Sequence, residues 1–180
     1  MTVMAGEIAE PYATALMSLA QSKSLTDEIG DNVRSLLGVL KESEDLQQFI
    51  ANPVIKATDK KAVMTRIVGD EINPYLRNFL MLLIDRSRIV FLNQIGEEYL
   101  AQLRKLNKTV LAEVISVVEL SEDQKENLVQ RVKALTNAQG VEIQTQIDPS
   151  LMGGIIIKMG SQVIDASIRG QLRRIGVSLS

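Results

Sequence analysis

The hydrophobic period of this chain changes once, near Asn107, and that change decides what it can fold into. Before it, apolar residues recur three and four apart, the repeat of a helix with one buried face. After it, they alternate with polar residues over short runs rich in Val and Ile, the repeat of strands. The expected fold is mainly α with a small α+β part. An N-terminal six-helix bundle is expected over residues 1–107 and a C-terminal α/β domain over 108–180. A length of 180 residues suffices for two small domains.

Each helix carries its own signals. Ile8, Tyr12, Ala15, Leu16 and Leu19 mark the first, and Pro11 is expected in its first turn, where a missing N–H costs little. Leu25, Ile29, Val33, Leu36, Leu37 and Leu40 mark the second. Ser43 is placed to cap a short third helix, with Glu44 and Asp45 at its positive end, and Asn52-Pro53 stops it. Thr58 is expected to cap a fourth helix carrying Val63, Ile67 and Val68. Asn73-Pro74 opens the fifth, with Asn as cap and Pro in the first turn. The sixth runs from about Ile89, with Leu92, Ile95, Tyr99, Leu103 and Leu106 in one stripe.

The second part reads differently. Val110 to Leu120 is expected as a strand, and Ser121-Glu122-Asp123-Gln124 is a capping box opening a helix that buries Leu128, Val132 and Leu135. Val141 to Ile147 and Ile155 to Lys158 read as further strands. Gly160-Ser161 turns the chain into a strand over Gln162 to Ile164, and Ala166 to Val177 reads as a closing helix.

Composition excludes several functions. There is no His and no Cys, so the commonest general base, metal ligand and thiol nucleophile are all missing, and a reducing compartment is expected. The net charge of -2 is mixed along the chain, without the basic stripe that binds nucleic acid. The longest apolar run, Phe79 to Ile84, is far short of the roughly 20 residues of a membrane span. Met1 to Gly6 has no basic region followed by an apolar stretch, so no signal peptide is expected. Membrane association is expected only through a partner.

Little else points to bond chemistry. Gly153-Gly154, Lys158 and Gly160 lack the order of a phosphate loop, because the pair precedes a strand and Gly160 is followed by Ser and Gln. Tight backbone geometry explains them. Asp148, Asp165 and Glu97-Glu98 read as capping or solvated groups. Arg169, Arg173 and Arg174 either complement a helix C-terminus or form a docking face for an acidic partner. The first and fifth helices carry more apolar residues than one buried face needs. Such a helix is either central in the bundle or covered by a partner.

The order of motifs resembles one family. Pro11-Tyr12-Ala13-Thr14-Ala15-Leu16 resembles its opening Tyr-Ala-x-Ala-Leu motif, and Asn52-Pro53-Val54-Ile55 its post-helix turn. The segments Ile147 to Gly160 and Val163 to Leu172 are similar to the C-terminal signature of F-type ATP synthase delta subunits and of the mitochondrial oligomycin-sensitivity-conferring protein. The resemblance covers the whole chain. It implies a non-catalytic stator subunit of a proton-translocating synthase, with no catalytic, cofactor-binding or metal residue. It implies that the bundle holds the N-terminal helices of alpha subunits and that the C-terminal domain grips b-type stalk subunits, so that the catalytic head does not co-rotate. Carried over by position, the alpha-binding surface falls on Tyr12, Ala15 and Leu16 of the first helix and on Asn78 and Leu82 of the fifth.

The resemblance also implies a place on the cytoplasmic or stromal side of an energy-transducing membrane. A bacterial or cyanobacterial source is expected, with likeness to photosynthetic members favouring the thylakoid over the plasma membrane. A generic helical adaptor is the alternative, and an enzyme the third class. Capture of alpha and b-type chains separates the first two, and absence of ATP hydrolysis speaks against the third.

Overall fold

Among the described residues, six helices occupy the first part of the chain: α1 (Thr2–Lys23), α2 (Thr26–Glu42), α3 (Glu44–Ala51), α4 (Ala57–Val68), α5 (Pro74–Asp85) and α6 (Leu92–Leu106), the last preceded by a 3-10 turn over Ile89–Phe91. Strands and two more helices follow: β1 (Thr109–Ser116), α7 (Glu122–Thr136), β2 (Gly140–Ile147), β3 (Ile155–Met159), β4 (Gln162–Asp165) and α8 (Ile168–Ser178). The computed structural model describes residues 2–69, 72–136 and 138–178. Two compact units divide the chain, Met1–Leu103 and Arg104–Ser180.

The helical unit is held by one apolar core. Ala13, Ile29, Leu80, Leu83, Ile95 and Tyr99 are buried within it. Gly30 of α2 lies where a Cβ would meet Leu103 of α6, and Gly96 of α6 where one would meet Leu37 of α2. The two helices therefore approach closely, each glycine receiving the other helix's leucine.

Local caps form as the side chains dictate. The Ser43 hydroxyl accepts from the Leu46 N–H at 3.2 Å. The Asn73 carbonyl accepts from the Tyr75 N–H at 2.9 Å, starting α5 just before Pro74. The same Asn73 donates its amide to Glu28 at 2.9 Å, while its backbone N–H donates to Asn32 at 2.7 Å. One capping residue thus also ties α5 to α2.

Four helical expectations need correction. Pro11 lies inside α1, since the helix starts at Thr2. A mid-helix proline costs about 3 kcal/mol, offset here by burial of Ala9, Ala13, Leu16, Met17 and Ala20 along the same helix. Thr58 does not cap α4; Lys56 occupies the cap position without a side-chain bond. The buried face of α4 is Lys60 and Met64, with Val63 and Val68 packed beside the core and Ile67 at the surface. Leu106 is exposed rather than part of the α6 stripe.

Tyr99 supplies a pH-dependent contribution. Its ring is fully buried and its hydroxyl donates to the Thr26 carbonyl at 3.0 Å. Burial, then the nearby Asp27 charge, pushes the phenol up to about 12. The folded value lies above the unfolded one of about 10, so this stabilisation is complete below pH about 10 and lost as pH rises through about 12. Tyr99→Phe should lose about 1 kcal/mol near neutral pH with the hydrogen bond. It should also show a shallower fall in stability across that alkaline window, measured by urea melts.

The second unit is a four-stranded sheet in the order β2-β1-β3-β4. β1 and β2 are parallel because α7 carries the chain back between them, whereas β1–β3 and β3–β4 are antiparallel. Gly160-Ser161 makes the β3–β4 turn. The core combines Ala112 and Val114 of β1, Leu128 and Val132 of α7, and Ile157 and Met159 of β3. The Ser121 capping box is formed reciprocally: Gln124 N–H to the Ser121 hydroxyl at 3.3 Å, and Ser121 N–H to the Gln124 carbonyl at 3.0 Å. Three expectations change. β1 stops at Ser116, whose hydroxyl turns to the Val118 carbonyl at 2.7 Å. Leu135 is exposed, and α8 begins at Ile168.

The long C-terminal motif is a closure of backbone on backbone. Gly154 has φ +80°, and a Cβ there would run into the Ala166 carbonyl and the Ser167 Cα. Ala166 N–H donates to the Ile155 carbonyl at 2.9 Å, and Ile168 N–H to the Gly153 carbonyl at 3.0 Å. The Asp165 carboxylate accepts from the Ser167 N–H at 2.9 Å and its hydroxyl at 2.6 Å. The Ser167 oxygen in turn accepts from the Gly170 N–H at 3.0 Å and opens α8.

Candidate partner-binding surface

α1 and α5 lie side by side within the helical unit. The Tyr12 and Phe79 rings meet edge to face, 6.4 Å apart at 65°. The Lys23 ammonium lies 5.9 Å from the centre of the Tyr75 ring. The later α1 residue meets the earlier α5 residue, so the two helices run in opposite senses.

Their outward rows follow helical spacing. On α1, Tyr12, Ala15 and Leu19 stand three and four apart; Ala15 is exposed and the other two half-buried. On α5, Tyr75, Asn78 and Leu82 repeat that spacing and are exposed, Leu82 at 45%. A leucine that open on an otherwise buried apolar helix leaves an uncovered apolar strip.

Of the residues carried over by position, Tyr12, Ala15, Asn78 and Leu82 reach this surface. Leu16 does not. It is 2% exposed and shares the inner face of α1 with Ala13 and Ala20, one helical turn either way. Leu80, Leu83 and Ile84 likewise face the core, so the all-apolar run of α5 is core on one side and surface on the other. Tyr75 was not singled out from the sequence, although its spacing from Asn78 and Leu82 was there to find it.

The sheet unit has its own apolar surface. Ile147, Met152, Ile168 and Leu172 are exposed, and Ile168 and Leu172 share one face of α8. Arg169 and Arg173 form an adjacent exposed row, and the Arg174 side chain of the expected cluster lies outside the described residues. Asp148 is held below its usual carboxylate range, first by hydrogen bonds from Ser150 and then by the charge of Arg169.

Among the described residues no group of three or more His, Cys, Asp or Glu could hold a metal ion, and no helix is long and apolar enough to cross a membrane. The family model for the ATP synthase delta (OSCP) subunit matches residues 8–179. The chain is 63% identical over 179 residues to ATP synthase subunit delta of Trichodesmium erythraeum, covering 99% of this chain and 98% of that protein. It is 54% identical over 178 residues to ATP synthase subunit delta of Synechocystis sp., covering 99% and 96%. A chain of the Toxoplasma gondii mitochondrial ATP synthase hexamer shares the fold, with a TM-score of 0.75 at 20% identity over 95% of this chain and 96% of that one. With near-complete coverage at this identity, the chain belongs to the ATP synthase delta (OSCP) subunit family, a peripheral-stalk component of F-type ATP synthase.

Proposed function

We propose that the chain joins two partners and does no bond chemistry itself. The strip on α1 and α5 receives the amphipathic N-terminal helix of an alpha subunit, and the sheet unit grips the b-type stalk subunits. Residues 1–107 and 108–180 divide the work accordingly. Joined in this way, the catalytic head is kept from co-rotating with the central shaft.

The observation that carries the reading is the paired row of Tyr12, Ala15, Asn78 and Leu82 on two packed helices. Its exposed leucine and half-buried aromatic ring are the kind of apolar groups an amphipathic helix docks against. Ala15 lets a partner backbone come close, and Tyr12 offers a large ring with a polar tip. On the sheet unit, the apolar and basic rows of α8 suit an amphipathic acidic helix. The cyanobacterial relatives support placement at an energy-transducing membrane, which in this reading is the thylakoid, with membrane association only through the complex. Nucleic acid and cofactors have no part.

The test is capture on immobilised full-length chain. A synthetic peptide of the alpha N-terminus and a soluble b-type stalk fragment should bind at once without competing. Failure of either to bind, or mutual exclusion, would refute the division of labour.

A further inference from the structure

The Asn52-Pro53-Val54-Ile55 turn has no part in the reading above. It walls a cavity of about 150 Å³ lined by Pro53, Ile55, Lys60, Ile84, Ser87 and Ile89 among others. Lys60 is only 7% exposed. Its ammonium donates to the Ile50 carbonyl in the last turn of α3 at 2.6 Å. An ammonium has three donors, and no other acceptor among the described residues takes up the remaining two. The nearby Asp85 carboxylate is held by Lys61 at 2.6 Å. An ammonium with two donors uncommitted to protein acceptors can take up an incoming anion without giving up its bond to Ile50.

The surroundings narrow the chemistry of that anion. Lys56, Arg86 and Arg88 are exposed and adjoin the lining residues Ala57 and Ser87, a local excess of positive charge in a chain of net charge -2. The walls mix the aliphatic side chains of Pro53, Ile55, Ile84 and Ile89 with polar groups. A cavity of about 150 Å³ has room for a six-membered ring, several times the share of one water. We propose that this cavity is a binding site for a carboxylate on a short aliphatic stem. The carboxylate meets Lys60, and the stem lies against Pro53, Ile55, Ile84 and Ile89. The ligand is either a free short-chain acid or a glutamate side chain of a docking segment. The site is independent of the α1–α5 strip.

The probe is sodium butyrate, titrated into the full chain while the methyl resonances of Ile55, Ile84 and Ile89 are followed by NMR. Saturable shifts are expected with butyrate, and binding at least about tenfold weaker with the neutral isostere butyramide, which loses the charge-assisted bond. Lys60→Met should abolish the preference for butyrate. Because that variant leaves the Ile50 carbonyl without its donor and could fold poorly, the butyrate–butyramide contrast on the unaltered chain is decisive. A blocked Ala-Glu-Ala peptide distinguishes the sources: shifts of the same methyls assign the site to a docking glutamate, and shifts with butyrate alone assign it to a free acid. If neither ligand moves these methyls, or butyramide equals butyrate, Lys60 is only a cap for α3 beside a water-filled cavity and the proposal is overturned.

Discussion

Gly154→Val should abolish the fold of the sheet unit. A Cβ at Gly154 would lie 2.4 Å from the Ala166 carbonyl oxygen and 2.8 Å from the Ser167 Cα, both backbone atoms that cannot rotate aside. The φ of +80° is itself unfavourable for any L side chain and worst for a β-branched one. Overlap and strain together should exceed about 4 kcal/mol, a large share of the 5–15 kcal/mol of a typical domain. The readout must be chosen with care. The three Tyr and three Phe all precede Arg104 and there is no Trp, so near-ultraviolet circular dichroism sees only the helical unit. Amide NMR should show the dispersed signals of β1, β3 and β4 collapse. Gly160→Ala is the matched control: its φ is also positive, at +57°, but nothing lies within 4 Å of the added Cβ. It should cost about 1 kcal/mol and leave the sheet intact. A Gly154→Val chain with an unchanged spectrum would show that the backbone closure is not needed.

Ala15→Asp should leave the bundle folded and abolish most of its affinity for the alpha N-terminal peptide. Ala15 is exposed, so the carboxylate is solvated in the free chain and loses water only when the partner docks. An uncompensated buried polar group costs on the order of 1–3 kcal/mol, and a charge more, which is roughly a tenfold to several-hundredfold loss of affinity. Leu82→Ala removes apolar contact without adding charge and should weaken the same binding less. Leu16→Asp should do the opposite of Ala15→Asp. At 2% exposure its carboxylate would enter the core, and the bundle should unfold before any binding could be measured. Paired thermal melts and peptide titrations separate the three. A folded Ala15→Asp chain that still binds with ordinary affinity would remove α1 from the binding surface.

The contrast between Ala15 and Leu16 marks where reading from sequence stops. Signals confined to about one turn were legible. Ser43, Asn73-Pro74 and Ser121-Gln124 start helices because a side-chain oxygen reaches an N–H two or three residues on, and that geometry is local. The change of hydrophobic period near Asn107 was legible for the same reason, since a 3.6-residue and a 2-residue repeat impose different backbones whatever lies around them. Pro11 misled because its penalty is also local, and burial along the rest of α1 outweighs it. Thr58, Leu106 and Leu135 misled because a suitable residue type at a suitable spacing does not say what packs against it.

Which face of an apolar helix is covered depends on residues distant in the chain. Tyr12 is fixed by Phe79, Tyr99 by Thr26, and Asn73 by Glu28 and Asn32. Those pairings assign Leu16, Leu80 and Leu83 to the core and leave Ala15 and Leu82 outside, although all five sit in equally apolar runs. Lys60, a residue that helical patterning would place in solvent, is buried in the same way by contacts between elements, with its ammonium on the Ile50 carbonyl. Periodicity and local capping were enough for the two kinds of architecture and for the starts of α3, α5 and α7, and the order of motifs for the family. Only tertiary packing decided which apolar residues remain uncovered for a partner, because side-chain burial is settled between elements and not within them.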